Sequence, residues 1–91
     1  MIKHYNITIT GKVQGVFYRA FAKEKAQETG IKGFVKNQPD GSVYLEAEGE
    51  SSALEQLLKW CHRGPAKAIV EKVTKEEAPL KHFKDFTVKY F

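Results

Sequence analysis

The sequence is poor in several features that define whole classes of protein. It contains one cysteine, Cys61, among 91 residues, which excludes an intrachain disulfide and every paired-cysteine metal or redox motif. Its apolar runs are far too short to cross a bilayer. The first residues show neither the apolar segment nor the small-residue cleavage site of a secretory signal. We therefore expect a soluble, cytoplasmic protein with no membrane partner.

Acidic side chains are also in the minority, although only mildly. The chain has 15 basic and 11 acidic residues and a net charge of +4, and these charges are spread along the sequence instead of forming runs. Such a balance permits an anionic ligand without requiring one. The length suffices for one hydrophobic core and leaves no room for a second. Residues 1–91 are thus predicted to form a single domain, which we expect to be a monomer.

The first third of the chain predicts a strand followed by a helix. Tyr5, Ile7 and Ile9 alternate with polar residues, which is typical of a strand with one buried face, and this strand is predicted to end at Gly11. After a loop, the sequence predicts an amphipathic helix that Gly30 stops in a left-handed conformation. The predicted apolar face of this helix contains two pairs of residues spaced four apart, which are Phe17 with Phe21 and Ala22 with Ala26.

The middle of the chain predicts a hairpin. The runs "IKGFVKN" at residues 31–37 and "SVYLEAE" at residues 42–48 read as two strands, the second with Val43, Leu45 and Ala47 on one face. The intervening "QPDG" contains Pro, Asp and Gly in the order of a tight turn. We therefore expect strands two and three to pair in antiparallel fashion.

The last part of the chain predicts a second helix and two further strands. Ser52 and Glu55 have the spacing of a capping box. A leucine-rich stripe follows, and Gly64 with Pro65 ends the helix. A fourth strand begins near residue 69 or 70, where a broken period indicates a bulge or a late start of the strand. Residues 86–90 alternate as a short final strand. The stripe comprises Leu54, Leu57, Leu58 and Cys61.

The element order is β-α-β-β-α-β with a terminal strand added. This order is typical of the α+β ferredoxin-like sandwich, in which two helices pack on one face of an antiparallel sheet. Right-handed crossovers place the first and third strands side by side in its centre. Because this fold hosts many unrelated activities, it does not by itself indicate a function.

The stretch "GKVQGVFYRAF" places Arg19 at the start of the first helix. A positive charge there opposes the helix dipole by about 0.3 to 1 kcal/mol, so a bound anion would explain it. Gly11 and Gly15 allow positive φ and close backbone approach, and N–H groups from Gly15 to Arg19 could form an anion-binding nest. The arginine fork would then bind two phosphate oxygens. A glycine turn followed by a surface arginine is common, so a purely structural loop stays an alternative, and neither GxxxxGK[ST] nor GxGxxG is present.

Two motifs carry a resemblance to a known family. The run "ITGKVQGVFYR" at residues 9–19 resembles the first signature of the acylphosphatase family, and "GFVKNQPDGSVYLEAEG" at residues 33–49 resembles its second. The stretches "GPAKAIV" at 64–70 and "FTV" at 86–88 are also similar, so the likeness covers nearly the whole chain. The resemblance implies the ferredoxin-like fold and the hydrolysis of small acyl phosphates to carboxylate and phosphate.

The resemblance also implies roles for individual residues. Arg19 and the backbone of the five residues before it would hold the phosphoryl group, and Asn37 would orient the attacking water. The five are Gln14, Gly15, Val16, Phe17 and Tyr18. No metal, cofactor or covalent intermediate is implied, and the substrate phosphate is thought to accept the proton of the water. Position 18 is Tyr where the family usually has Phe.

The remaining polar and reactive side chains are given structural interpretations. Cys61 and Trp60 are expected in or beside the core, and Asp40 in its turn. Glu46 and Glu48 share a strand face that we expect to be open to water. The histidines lack paired metal-ligand spacing and are predicted to lie on the surface. These histidines are His4, His62 and His82.

Two other functions are compatible with parts of the sequence. Ferredoxin-like RNA-recognition modules carry aromatic residues on their sheet, and "KGFV" at residues 32–35 resembles part of their motif. Lys36, Asn37 and Gln38 follow where further aromatics are needed, so we expect no specific nucleic-acid partner. A carbamoyl-phosphate-handling module is the third possibility, because the same domain occurs fused within larger hydrogenase-maturation proteins.

Overall fold

The structure, a computed structural model, describes residues 1–90 as a five-stranded sheet with two helices. The elements in chain order are β1 (Ile2–Lys12), α1 (Tyr18–Glu28), β2 (Lys32–Asn37), β3 (Val43–Glu50), α2 (Ser51–Arg63), β4 (Ile69–Ala78) and β5 (Phe86–Lys89). The strand order is β4-β1-β3-β2-β5. The predicted ferredoxin-like arrangement is confirmed, with β1 and β3 adjacent at the centre and the short extra strand at the edge.

One face of the sheet forms the core, because side chains alternate along each strand and the register places apolar ones side by side. Ile7 pairs with Leu45 and Ile9 with Val43 across the central ladder, and all four side chains are fully buried. Buried residues of both helices belong to the same hydrophobic cluster, so both helices cover this face. Neither helix of residues 1–90 is both long and apolar enough to reach across a bilayer.

The buried side of α1 differs from the prediction. Tyr18, Ala22 and Ala26 are buried, whereas Phe17 and Phe21 are 70% and 46% exposed. The buried residues and the two exposed phenylalanines have the same spacing of four, so periodicity alone could not show which set faces the core. Phe17 is the N-cap with φ 64°, and the helix therefore begins one residue later than the apolar pattern indicates. Gly30, with φ 75°, follows its end as predicted.

The start of α2 also differs, whereas its interior is confirmed. The helix begins at Ser51 directly after β3, Glu50 is the N-cap, and no side chain among the described residues 1–90 caps it, so the predicted capping box is wrong. With no loop before the helix, Ser52 already lies inside its first turn. Leu54, Leu57 and Cys61 are buried, and Gly64 is the C-cap.

The predicted break in period along β4 is a shift in strand register. Thr10 pairs with Lys72 and Gly11 with Val70, which leaves one extra residue in β4. The strand β1 also continues to Lys12, one residue past the predicted end. At the opposite edge, β5 pairs in parallel with β2.

The second face of the sheet carries a buried polar cluster where we expected open strand surface. Glu46 and Glu48 are 7% and 6% exposed, and His4 is fully buried between them. The imidazole Nδ1 lies 3.1 Å from Glu48 Oε2, and Nε2 lies 3.0 Å from Glu46 Oε1. The predictions of solvated carboxylates and a surface His4 are wrong, while His62 and His82 are exposed as expected.

Residues 79–85 cover this cluster. The backbone N–H groups of Lys81 and Phe83 donate to the two oxygens of Glu48 at 2.5 and 3.0 Å, and Lys81 Nζ lies 2.9 Å from Glu46. The Phe83 ring also packs edge-on against Phe34 at 5.9 Å. The covering segment carries no periodic pattern, which explains why the sequence did not indicate it.

Candidate active site

A cavity of about 470 Å³ lies where the N-terminus of α1, the end of β2 and the strand β5 meet. Its lining combines backbone from the glycine loop with side chains from all three elements. The lining residues are Val13, Gly15, Phe17, Tyr18, Arg19, Ala20, Lys23, Asn37, Val88 and Tyr90. The two signature segments therefore meet in space around one cavity.

The loop before α1 has the backbone conformation of an anion-binding nest. Gly15 has φ 74° and Phe17 φ 64°, while Val16 between them has no positive φ. Alternation of this kind turns successive N–H groups toward one side. For a residue with a side chain the left-handed conformation costs about 1 to 3 kcal/mol, and such outliers concentrate at functional sites.

The first N–H groups of α1 have no partner within the helix. The first helical bond runs from the Phe21 N–H to the Phe17 carbonyl at 3.1 Å, so the N–H groups of Tyr18, Arg19 and Ala20 precede the ladder. No side chain of residues 1–90 caps this end, and its first turn contains no acidic residue. An anion in the cavity would therefore satisfy donors for which residues 1–90 supply no helical or side-chain partner.

Gln14 ties the loop to the β2–β3 hairpin. Its amide Nε2 donates to the carbonyls of Gln38 and Ser42 at 2.8 and 2.9 Å. The hairpin turn is itself fixed by Asp40, which accepts from the N–H and the hydroxyl of Ser42 as predicted for a turn residue. These hydrogen bonds hold the pKa of Asp40 below its usual value. The loop and the strand that carries Asn37 are thus held in one geometry.

Arg19 projects from the first turn of α1 toward β5. Its guanidinium carbon lies 4.8 Å from the centroid of the Tyr90 ring, within the range of a cation–π contact. It forms no salt bridge with a carboxylate of residues 1–90. Stacking on a ring face leaves the edge of a guanidinium available for two parallel hydrogen bonds.

Asn37 lies at the last position of β2, opposite Val43, and contributes to the same lining. It is partly exposed, and its amide makes no hydrogen bond to another side chain or backbone group among residues 1–90. An amide can donate and accept at once, so it can orient a water molecule. Lys23, one turn after Arg19, adds a second positive charge to the lining.

Five of the seven predicted site residues line the cavity, whereas Gln14 and Val16 do not. Gln14 directs its side chain to the hairpin, and the side chain of Val16 is buried. Sequence reasoning missed Lys23 and Tyr90. Lys23 could have been found from its i+4 spacing to Arg19, but Tyr90 reaches the site only through the long-range pairing of β5 with β2.

Comparison with known proteins decides the family. The acylphosphatase family model matches residues 5–88. The chain belongs to the acylphosphatase family. It is 46% identical over 86 residues to an acylphosphatase of Marinobacter nauticus, with 93% of this chain and 94% of that protein covered.

Solved acylphosphatase structures have the same fold. The protein from Coxiella burnetii superposes with a TM-score of 0.94 at 39% identity, covering 97% of this chain and 93% of that one. The Bacillus subtilis acylphosphatase gives a TM-score of 0.94 at 32% identity, covering 99% and 100%. In both comparisons the match covers nearly the whole of each chain.

The departure from the family pattern at Tyr18 has a local explanation. Its hydroxyl donates to the buried Cys61 carbonyl at 2.8 Å, and its ring packs 5.1 Å from that of Trp60. Burial raises the pKa of the Tyr18 hydroxyl and also raises that of the Cys61 thiol, to about 12. Because its hydroxyl already donates to the Cys61 carbonyl, Tyr18 can contribute only its backbone N–H to an anion.

The aromatic side chain that suggested RNA binding is unavailable for stacking. Phe34 of "KGFV" is 8% exposed because Phe83 covers it. Glu46 and Glu48 lie on the same sheet face, where an RNA phosphate would be repelled. The acylphosphatase family membership and this geometry both disfavour the RNA-recognition interpretation.

Proposed function

We propose that this chain hydrolyses the carboxyl–phosphate bond of small acyl phosphates in the cavity formed by Arg19, Asn37 and the N-terminus of α1. The observation that carries the proposal is the convergence of open backbone donors, a bidentate side chain and a neutral amide on one cavity. Membership of the acylphosphatase family supports the same activity.

Binding in this proposal uses backbone and arginine together. The N–H groups of residues 15–20 and the α1 dipole favour the phosphoryl oxygens, and the Arg19 fork contacts two of them. Phosphoryl transfer leaves little covalent chemistry for the protein to perform, so the main requirements are positioning and electrostatic stabilisation. Lys23 adds positive charge at the same wall.

The reaction proceeds by direct attack of water. Asn37 holds the water, whose oxygen forms a bond to phosphorus while the bond from phosphorus to the acyl oxygen breaks. The carboxylate leaves with the electron pair of that bond, and a phosphoryl oxygen accepts the proton. A neutral amide suits this position because an aspartate would repel the phosphoryl group. A carboxylate leaves readily, so no strong general acid is needed.

A direct assay tests the activity. Purified protein should convert acetyl phosphate and benzoyl phosphate to carboxylate and inorganic phosphate well above the spontaneous rate, with or without EDTA. Phosphate monoesters should react poorly because their leaving groups need protonation. Absence of turnover, or activity that EDTA abolishes and zinc restores, would contradict the proposed reaction.

The proposal extends to the molecular setting. We expect residues 1–91 to act as one monomeric, cytoplasmic domain on a small-molecule substrate without a metal or cofactor. Any binding of single-stranded RNA should be weak, independent of sequence and steeply reduced by salt, as a net charge of +4 would give. Tight, sequence-selective binding at moderate salt would instead favour a nucleic-acid module.

A further inference from the structure

A second, largely apolar groove adjoins the proposed phosphate cavity. It has a volume of about 380 Å³ and runs between the N-terminus of α1 and the segment that follows α2. Phe17 lines both the groove and the cavity. Any molecule whose phosphoryl group occupies the cavity therefore has this groove as an adjacent site for its remainder.

The groove explains why two large aromatic side chains are exposed. Phe17 and Phe21 leave 70% and 46% of their surface accessible, and together with Trp60 and Pro65 they form its walls. Phe17 is also held in the left-handed conformation, which places its side chain between the two spaces. Contiguous exposed aromatics of this kind typically mark a binding surface.

The geometry of phosphoryl transfer indicates which part of a substrate belongs there. The attacking and leaving oxygens are roughly in line on opposite sides of phosphorus. Asn37, the proposed water-positioning residue, lines the cavity but not the groove. The groove does not contain the water-positioning residue, so we assign it to the leaving-group side, where the acyl part of the substrate must lie.

The rim of the groove adds a charge preference. Arg63 and Lys67 lie on its edge, and neither forms a salt bridge with any of residues 1–90. A substrate with a second negative charge at the far end of its acyl group would bring that charge to these cations.

We propose that this groove is the acyl subsite and that it selects substrates with a bulky apolar acyl group carrying a negative charge at its far end. The inference rests on the proposed hydrolysis of acyl phosphates and specifies its substrate class. Phe17, Phe21 and Trp60 contact the apolar body, and Arg63 attracts the distal anion.

The test compares kcat/KM for acetyl, benzoyl and 4-carboxybenzoyl phosphate. The native protein should prefer them in rising order. Phe21→Ala should lower the benzoyl-to-acetyl ratio about tenfold, the scale of a lost apolar contact in a pocket, mainly through KM. Arg63→Gln should lower the carboxybenzoyl-to-benzoyl ratio about three- to fivefold, as expected of a solvent-exposed ion pair. Inhibition by inorganic phosphate should not change in Phe21→Ala if the phosphate cavity is intact.

Ile2→Ala is the matched control, because Ile2 is 51% exposed and lines neither the cavity nor the groove. It should leave every ratio unchanged. The subsite would be overturned if Phe21→Ala lowered kcat/KM equally for acetyl and benzoyl phosphate, or if neither the benzoyl-to-acetyl nor the carboxybenzoyl-to-benzoyl ratio fell. Neither result would contradict the hydrolase activity itself.

A binding measurement separates the subsite from the activity. Trp60 is the single tryptophan and lies in the groove, so its fluorescence should change on titration with the non-hydrolysable benzoylphosphonate and not with inorganic phosphate. A change without hydrolysis of any acyl phosphate would refute the proposed function alone. Saturation with benzoylphosphonate is monitored by its competition with phosphate. A fluorescence spectrum that stays unchanged at saturation would refute the acyl subsite.

Discussion

At the scale of single residues, the proposed site contains two unfavourable features that a bound anion would offset. Arg19 adds positive charge to a helix end whose dipole is already positive, and Phe17 adopts a left-handed conformation that few residues with side chains adopt. Neither feature improves the stability of the free protein. Under the proposed function both become favourable once a phosphoryl group occupies the cavity, and the identity of the residue at each position is then testable.

Arg19→Lys should lose most of the activity although the charge is retained. An ammonium group cannot present two parallel donors to two phosphoryl oxygens, and loss of one such contact lowers rates by about 10² to 10³. Steady-state kinetics with acetyl phosphate measures the loss, and an unchanged urea midpoint controls for folding. Near-native turnover would mean that Arg19 acts only as a diffuse charge.

Asn37→Asp tests water positioning against proton abstraction. The substitution retains size and turn preference but replaces an amide donor with an anion beside the phosphoryl group, so both the rate and phosphate binding should fall. Asn37→Ala should mainly slow the reaction, by about 2 to 4 kcal/mol in activation free energy. Both are checked by pH–rate profiles together with inhibition by inorganic phosphate. An aspartate variant as fast as the native protein, or one whose rate rises above the carboxyl pKa, would mean that a general base operates here.

At the scale of the elements, strand alternation and turn chemistry were sufficient to predict most of the sheet. Tyr5 and Ile7 in β1 and Val43 in β3 are buried as their period predicts, and the "QPDG" turn joins an antiparallel pair. Predictions failed where an element began without the usual signal. The capping-box pattern at Ser52 lies inside α2, because β3 leads directly into this helix.

Gly11→Ala tests the register shift near the end of the β1–β4 ladder. Gly11 has φ 124°, and a Cβ there would overlap the Ile69 carbonyl oxygen and come within 2.8 Å of the Glu71 nitrogen. Strain and overlap together should destabilise the fold by about 2 to 4 kcal/mol, measured as a shift in urea midpoint. Gly41→Ala is the control, since its φ is 93° but the space around it is empty, and about 1 to 2 kcal/mol of backbone strain is expected. Equal effects of the two substitutions would show that close packing at the shift is unimportant.

At the scale of the whole molecule, the features that could not be predicted from the sequence are those that depend on long-range contacts. Tyr90 reaches Arg19 because β5 pairs with β2, and His4 is buried because residues 79–85 fold over β3. The same segment leads into β5, so one polar cluster under the sheet fixes the strand that supplies part of the cavity wall. No local pattern encodes either contact, since each joins parts of the chain far apart in sequence.

The His4 cluster makes stability depend on acid pH with a definite sign. Burial alone raises the pKa of Glu48, but the N–H groups of Lys81 and Phe83 and the His4 ring outweigh it, so its pKa lies below its usual value. Burial likewise raises the pKa of Glu46, and Lys81, Tyr44 and His4 outweigh it. Lowered carboxyl pKa values in the folded state contribute stability above the unfolded-state pKa, which is lost as the pH falls through the folded value.

We therefore expect the contribution of this cluster to the urea midpoint to be constant above about pH 5. It should fall progressively below the usual glutamate pKa of about 4.3. Glu48→Gln should destabilise the protein at neutral pH by about 3 kcal/mol, because it leaves His4 without one buried partner and one backbone N–H without its acceptor. The same substitution should flatten the acid limb, since one fewer carboxyl takes up a proton on unfolding.

Glu50→Gln is the matched control on the same strand. Glu50 pairs with the N-terminal ammonium at 2.8 Å, but both groups are exposed, and such pairs contribute about 0 to 1 kcal/mol. It should leave the acid limb nearly native, whereas an unchanged acid limb in Glu48→Gln would rule out Glu48 as a source of the pH dependence. The same cluster also affects the cavity. Because the Glu48 carboxylate holds residues 81 and 83 just before β5, its protonation should also loosen the part of the cavity wall formed by Val88 and Tyr90. Phosphate inhibition would then weaken in Glu48→Gln at neutral pH and stay native in Glu50→Gln.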